Sequence, residues 1–201
     1  MRVPLVPDAT GRSGMLLSFT RHACLFAGLC MAAVLPARAE DKAPQLAIAE
    51  QFIEAFYSFN ANRLAPYLRH AGDSAQSIVR YQAWAQGGNY KIVKRMPCKA
   101  DPVSHTVICR ITVQDDLVMA LQTGFDVTDS FHLTFTENLI TAIETSSNDQ
   151  PIYYEARRWV AEQYPELMLG VCADNAPSPA ECARAMALRY RVFFKQQQSA
   201  H

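Results

Sequence analysis

Over residues 90–149 apolar and polar positions alternate in four successive runs, YKIVKRMPCKA, HTVICRITVQDDL, DVTDSFHLTFTE and NLITAIETS. A period of two marks a strand with one face on a core, and turn residues separate the runs, so the stretch predicts four antiparallel strands. Asp101-Pro102 makes the first hairpin turn, residues 122–124 lie in a wider connection, and Glu137-Asn138 makes a tight turn. That tight turn pairs Phe135 with Ile140 and Leu133 with Ala142. Phe131, Leu133 and Phe135 share one face of the third strand, and His132, Thr134 and Thr136 share the other.

The flanking segments follow a 3.6-residue period instead. Residues 43–59 carry Leu46, Ala49, Phe52, Ile53 and Phe56 on one side, with Glu50 and Glu54 opposite. Residues 60–70 predict a short helix capped by Asn60 or Asn62, and His70 near its end suits the helix dipole. Residues 74–86 predict a third helix, stopped by Gly87-Gly88. Beyond Pro151, residues 152–169 form a helix marked by Tyr153, Ala156, Trp159, Val160 and Tyr164, bent or interrupted at Pro165. A last helix runs from Pro179 to about residue 195, with Cys182, Met186, Arg189 and Tyr190 on related turns, and the tail QQQSAH is expected to be disordered.

Residues 1–39 read as a leader rather than as part of the fold. Arg21 and His22 precede the apolar run ACLFAGLCMAAVL, and Ala37-Arg38-Ala39 supplies small residues for cleavage after Ala39. This is the pattern of a secretory signal peptide, with Met15 a plausible start, and the run is short of the about 20 residues that span a bilayer. A lipoprotein reading of Cys30 is disfavoured by the bulky Leu29. The mature chain is expected in the periplasm or secreted, with no membrane association after cleavage. Residues 40–149 would form an α+β domain, and residues 150–201 a helical extension packed on it.

Charge changes the picture only by exclusion. Four of the 19 basic and one of the 19 acidic residues fall in the leader, leaving 15 and 18 and a net charge of −3. No basic run with interleaved aromatics occurs, so nucleic acid is not an expected partner.

Four of the six cysteines lie beyond the leader, which in an exported chain suggests two disulfides. A hairpin centred between Val103 and Ser104 puts Cys98 opposite Cys109, Met96 opposite Ile111 and Lys94 opposite Val113. The second pair is then Cys172 and Cys182. A zinc site is the competing reading, but the chain lacks the C-x₂-C spacing, and no metal or other cofactor is expected.

Three helices, a curved antiparallel sheet and a C-terminal extension, together with FHLTFTENLITAIETSSND as an aromatic strand, tight turn and "Ile-Thr-x-Ile" strand (Ile140 to Ile143), resemble the nuclear-transport-factor-two-like or SnoaL-like superfamily. The resemblance covers residues 43–149. It implies a cone-shaped curved antiparallel sheet with the N-terminal helices over its concave face, closing an apolar pocket, often in a homodimer. The C-terminal segment adds a helical hairpin. Members include isomerases, dehydratases, hydrolases and many non-enzymatic binders, so this fold does not fix function.

For chemistry, enzymes of that fold place a carboxylate or His in the pocket, and the local candidates are Asp129 and His132. Residues three apart on a strand point to opposite faces, so these two act together only across a bulge. Tyr57, Tyr81, Trp84 and Tyr90 are candidates to line the pocket, their polar tips suited to a small apolar or amphipathic molecule. Asp115-Asp116 reads as a solvated strand end, Arg157-Arg158 as a solvated helix face, and Arg95 with Arg110 as one sheet face suited to a dimer contact. The expected function is small-molecule binding without turnover. The alternatives are a cofactor-free isomerase or dehydratase using His132 or Asp129 as base, and a protein-interaction subunit.

Overall fold

Three helices come first in the computed structural model, which describes residues 42–199. The leader expected at residues 1–39, with Cys24 and Cys30, lies outside the described residues. Helix α1 (Ala43–Tyr57) has a proline in its first turn, where an amide hydrogen would go unpaired anyway. Helix α2 (Ala61–Leu68) is capped by Asn60, whose side chain accepts from the amides of Asn62 and Arg63. Helix α3 (Ser74–Gly87) stops at Gly88.

The sheet follows as β1 (Lys91–Arg95), β2 (Lys99–Ala100), β3 (Val107–Gln114), β4 (Val127–Thr136) and β5 (Leu139–Ser147), with a short helix α4 (Asp116–Ala120) between β3 and β4. It is a five-stranded, curved antiparallel sheet in the order β1-β3-β4-β5, with β2 also paired to β3. Helices α5 (Pro151–Gln163), α6 (Pro165–Leu169) and α7 (Pro179–Ser199) complete the chain. The fold is α+β, with the N-terminal helices over one sheet face and a helical hairpin at the C-terminus.

Strand alternation builds the core. Val107, Cys109, Ile111 and Val113 of β3 and Val127, Phe131 and Leu133 of β4 are buried on the same face. Phe131 is the hub, with the rings of Phe52, Phe56, Tyr57 and Tyr81 centred 4.9–6.3 Å away. A second cluster joins Leu117 and Leu121 to Ala156 and Val160 of α5 and to Met186, Tyr190 and Phe193 of α7. Both disulfides are present, Cys98–Cys109 at 4.3 Å and Cys172–Cys182 at 4.9 Å between Cα atoms, a pattern that fits an exported protein. No helix among the described residues is long and apolar enough to cross a membrane.

Several registers differ from the sequence expectation. Pro97 has no amide hydrogen to donate, so the first run breaks into β1 and β2 around it. Lys99 pairs with Ile108 as the Cys98–Cys109 register requires, but beyond the break Arg95 faces Ile111 and Ile92 faces Val113, with a bulge between Ile92 and Lys94. The expected Met96–Ile111 and Lys94–Val113 pairs are therefore replaced. Arg95 consequently turns inward to pair with Glu50 of α1, while Arg110 is exposed on the other face, so the two do not share a surface. A bulge at Thr134/Phe135 likewise pairs Leu133 with Ile143 instead of Ala142. The second run ends at Gln114, because Asp115 caps α4. In the tail, Gln196 to Ser199 continue α7 as helix.

Helices α3 and α7 touch almost backbone to backbone: a Cβ built on Gly87 would lie 2.2 Å from the Ala180 carbonyl oxygen. Gly87→Ala is expected to lower the urea midpoint by the equivalent of about 1–3 kcal/mol, because the two helices must part. Phe131→Ala should cost about 3–5 kcal/mol, and more than Phe135→Ala or Trp159→Ala, whose rings are only half-buried. Loss of either disulfide should cost about 2–4 kcal/mol, seen as a lower Tm in reductant; an unchanged Tm would contradict it.

Candidate functional site

The alternation that buries Phe131 and Leu133 also forces Asp129 inward. Its residue is 2 % exposed, and it sits between Val127 and Phe131 on the core face of β4. Tyr57, the last residue of α1, donates its hydroxyl to Asp129 Oδ2 at 2.9 Å, and the Tyr81 hydroxyl of α3 also acts to lower the same carboxyl. Burial raises the carboxyl against the lowering effect of these two hydroxyls, and the balance is a pKa of about 6. Tyr57 itself is pushed well above its ordinary value by burial and by the neighbouring Asp129, so it remains a protonated donor.

Asp129 forms part of the floor of an open cleft of about 410 Å³. Arg80, Tyr81 and Trp84 of α3 form one wall together with Tyr90, and the end of β5 at Thr145 to Ser147 forms another. Asp149 just ahead of α5 and Tyr153 and Arg157 on it close the third side, with Pro179 at the base of α7. The strand register explains part of this: Thr145 pairs with Phe131 and Ser147 with Asp129, so both share the inward face of the sheet. A volume of this size lies within the range of small-molecule sites.

Of the residues singled out in the sequence, Tyr81, Trp84, Tyr90 and Asp129 meet at this cleft. Tyr57 does not line it but reaches Asp129 from the core side. His132 lies on the opposite face of the sheet, paired with Ile108 and Glu144, and the β4 register runs unbroken from Asp129 to His132 on both sides. No bulge brings the two together, and His132 stays on the face opposite Asp129, where strand parity puts it.

Asp115 also departs from its expected place. Rather than a solvated strand end it is 3 % exposed and accepts from the amides of Leu117 and Val118, each at 2.8 Å. Burial outweighs those two bonds and raises its pKa to about 6. It is the cap of α4 and does not line the cleft.

The polar rim was not evident from the chain. Asp149 accepts from Ser147 and from the Tyr154 hydroxyl. Arg80 donates to the Ala176 carbonyl at 2.9 Å. Arg157 is exposed, and among the described residues neither Arg80 nor Arg157 makes an ion pair. No cluster of three or more His, Cys, Asp or Glu side chains suited to a metal occurs among the described residues. What the cleft offers chemically is a carboxyl that changes charge near neutral pH, tyrosine donors, aromatic walls and two guanidiniums at its edge.

The raised carboxyl has a consequence for stability. The folded state holds the Asp129 proton more tightly than the unfolded chain, so its contribution is fully present below about pH 4 and is lost as the pH rises toward about 6. Asp129→Asn keeps an acceptor for Tyr57 and should flatten this decline, by on the order of 2 kcal/mol, in urea midpoints measured from pH 4 to pH 7. Parallel profiles for the two proteins would show that Asp129 titrates normally.

Set beside known proteins, the chain matches no family model, no curated protein and no solved structure, so its function is argued from this geometry alone.

Proposed function

We propose that this is an exported small-molecule-binding protein with a SnoaL-like cone, and that its ligand sits in the cleft over Asp129. The observation that carries this reading is the coincidence of a buried carboxyl, held by Tyr57, with an aromatic-walled opening large enough for a small molecule. Burying a carboxylate costs free energy, and the Tyr57 donor offsets only part of it. Facing the remaining oxygen lone pairs toward an opening gives a ligand something to bind. The two disulfides support an oxidising compartment, and we place the mature chain in the periplasm or outside the cell.

A second reading is favoured by one specific observation. A carboxyl with a pKa of about 6 is suited to accept and return a proton at neutral pH, which is the requirement for a general base. On this reading Asp129 alone is the base of an isomerase- or dehydratase-type reaction, with Tyr57 setting its basicity.

Native mass spectrometry of the mature protein purified from the periplasm of its own host tests the first reading. Wild-type protein should carry a small molecule, and Thr145→Trp, at an exposed position facing the cleft, should lose it; equal retention would place the ligand elsewhere. To separate binder from enzyme, the captured ligand is returned to wild-type protein and to Asp129→Asn in D₂O. Deuterium uptake or product with the wild type alone supports proton transfer, whereas binding to both without either change supports the binder.

A further inference from the structure

The cleft's charges are divided in a way that selects a kind of ligand. Two guanidiniums, Arg80 from α3 and Arg157 from α5, open onto it without ion-pair partners among the described residues. Arg80 is tied to the Ala176 carbonyl through Nη1, which orients the group while leaving its other nitrogens free to donate. Asp149 at the rim accepts from the hydroxyls of Ser147 and Tyr154 and makes no ion pair with either guanidinium. Asp129 lies on the floor: it accepts from the Tyr57 hydroxyl, and a carboxylate has about four lone-pair sites, so acceptor capacity remains. Between floor and edge the walls are the rings of Tyr81, Trp84 and Tyr90.

Resting on the pocket reading above, we infer that the cleft takes a small hydroxylated aromatic acid, its carboxylate held by Arg80 and Arg157, its ring between the aromatic walls and its hydroxyl donating to Asp129. Guanidinium and carboxylate match as two parallel N–H···O bonds, which a neutral head cannot reproduce. A cationic head seated at Arg80 and Arg157 would be repelled by both guanidiniums. An aliphatic acid would leave the ring walls without a stacking partner.

Isothermal titration calorimetry at pH 7 with three probes tests this: 6-hydroxy-2-naphthoate, its methyl ester, and 2-naphthoate without the hydroxyl. The hydroxy acid should bind at least about tenfold more tightly than the ester, the scale of one charged hydrogen bond. Arg157→Gln, at an exposed position, should narrow the acid's advantage over the ester, with Arg80 still in place, and leave the ester unchanged. Asp129→Asn should weaken the preference for 6-hydroxy-2-naphthoate over 2-naphthoate. Raising the salt should weaken the acid and not the ester.

Equal binding of acid and ester, or equal losses for both in Arg157→Gln, overturns the anionic head while leaving the pocket intact. Binding of none of the three overturns the ligand class. The pocket reading is judged separately, by whether periplasmic protein carries a molecule that Thr145→Trp loses. A carried molecule that proves cationic refutes this inference and upholds that reading.

Discussion

A carboxylate on the core face of a sheet has to be satisfied, and much of the arrangement around β4 follows from how this chain does it. Asp129 sits where a valine or leucine would continue the pattern, and its donor Tyr57 is the final residue of α1. The helix must therefore end where the hydroxyl can reach the strand, which fixes its axial position over the sheet. Tyr81 of α3 stacks on Phe131 and lines the same cleft, so both covering helices are set against this stretch of β4. Phe131, two residues along β4, packs against Tyr57 and Tyr81, so the polar contact and the aromatic core reinforce one placement.

The cleft lies at a seam. Tyr81, Tyr90 and Val127 belong to the core under the sheet, whereas Trp84 packs against the second cluster and Tyr153 against both. Neither cluster closes over Asp129, because α3 and α5 converge on it from different sides with α7 between them. The close approach of Gly87 to Ala180 and the Cys172–Cys182 bridge hold α7 in that position. The opening is thus maintained by contacts well away from its floor, and the C-terminal helices are structural walls of the site rather than an appendage to it.

How much of this was legible in the chain depended on the range of the interaction. Helices α1 and α3, the β4–β5 turn and both disulfides follow from periodicity and from local geometry within about a dozen residues. Asp129 was legible in part: extending the Phe131–Leu133 face by two residues points it inward, and strand parity already put His132 opposite. The registers were not legible, because each bulge and the break at Pro97 shifts pairing by one residue without altering the hydrophobic pattern of the longer run. Asp115 was misread because capping a five-residue helix requires knowing that β3 ends at Gln114. Arg80 gave no signal and Arg157 read only as part of a solvated helix face; their meeting depends on the packing of α3 and α5 against a common third element.

The break at Pro97 also governs how the molecule ends on that side. Ile92, Val93 and Met96 are exposed near the outer edge of the sheet, a composition that elsewhere would template the pairing of a foreign strand. Here the outermost segment is interrupted by an imino acid, offset by a bulge and flanked by Lys91 and Lys94, so it presents no continuous row of donors and acceptors. The Cys98–Cys109 bond supplies the register that the missing ladder would have provided. The edge is kept monogamous by covalent chemistry, and until that bond forms the chain is left without the safeguard.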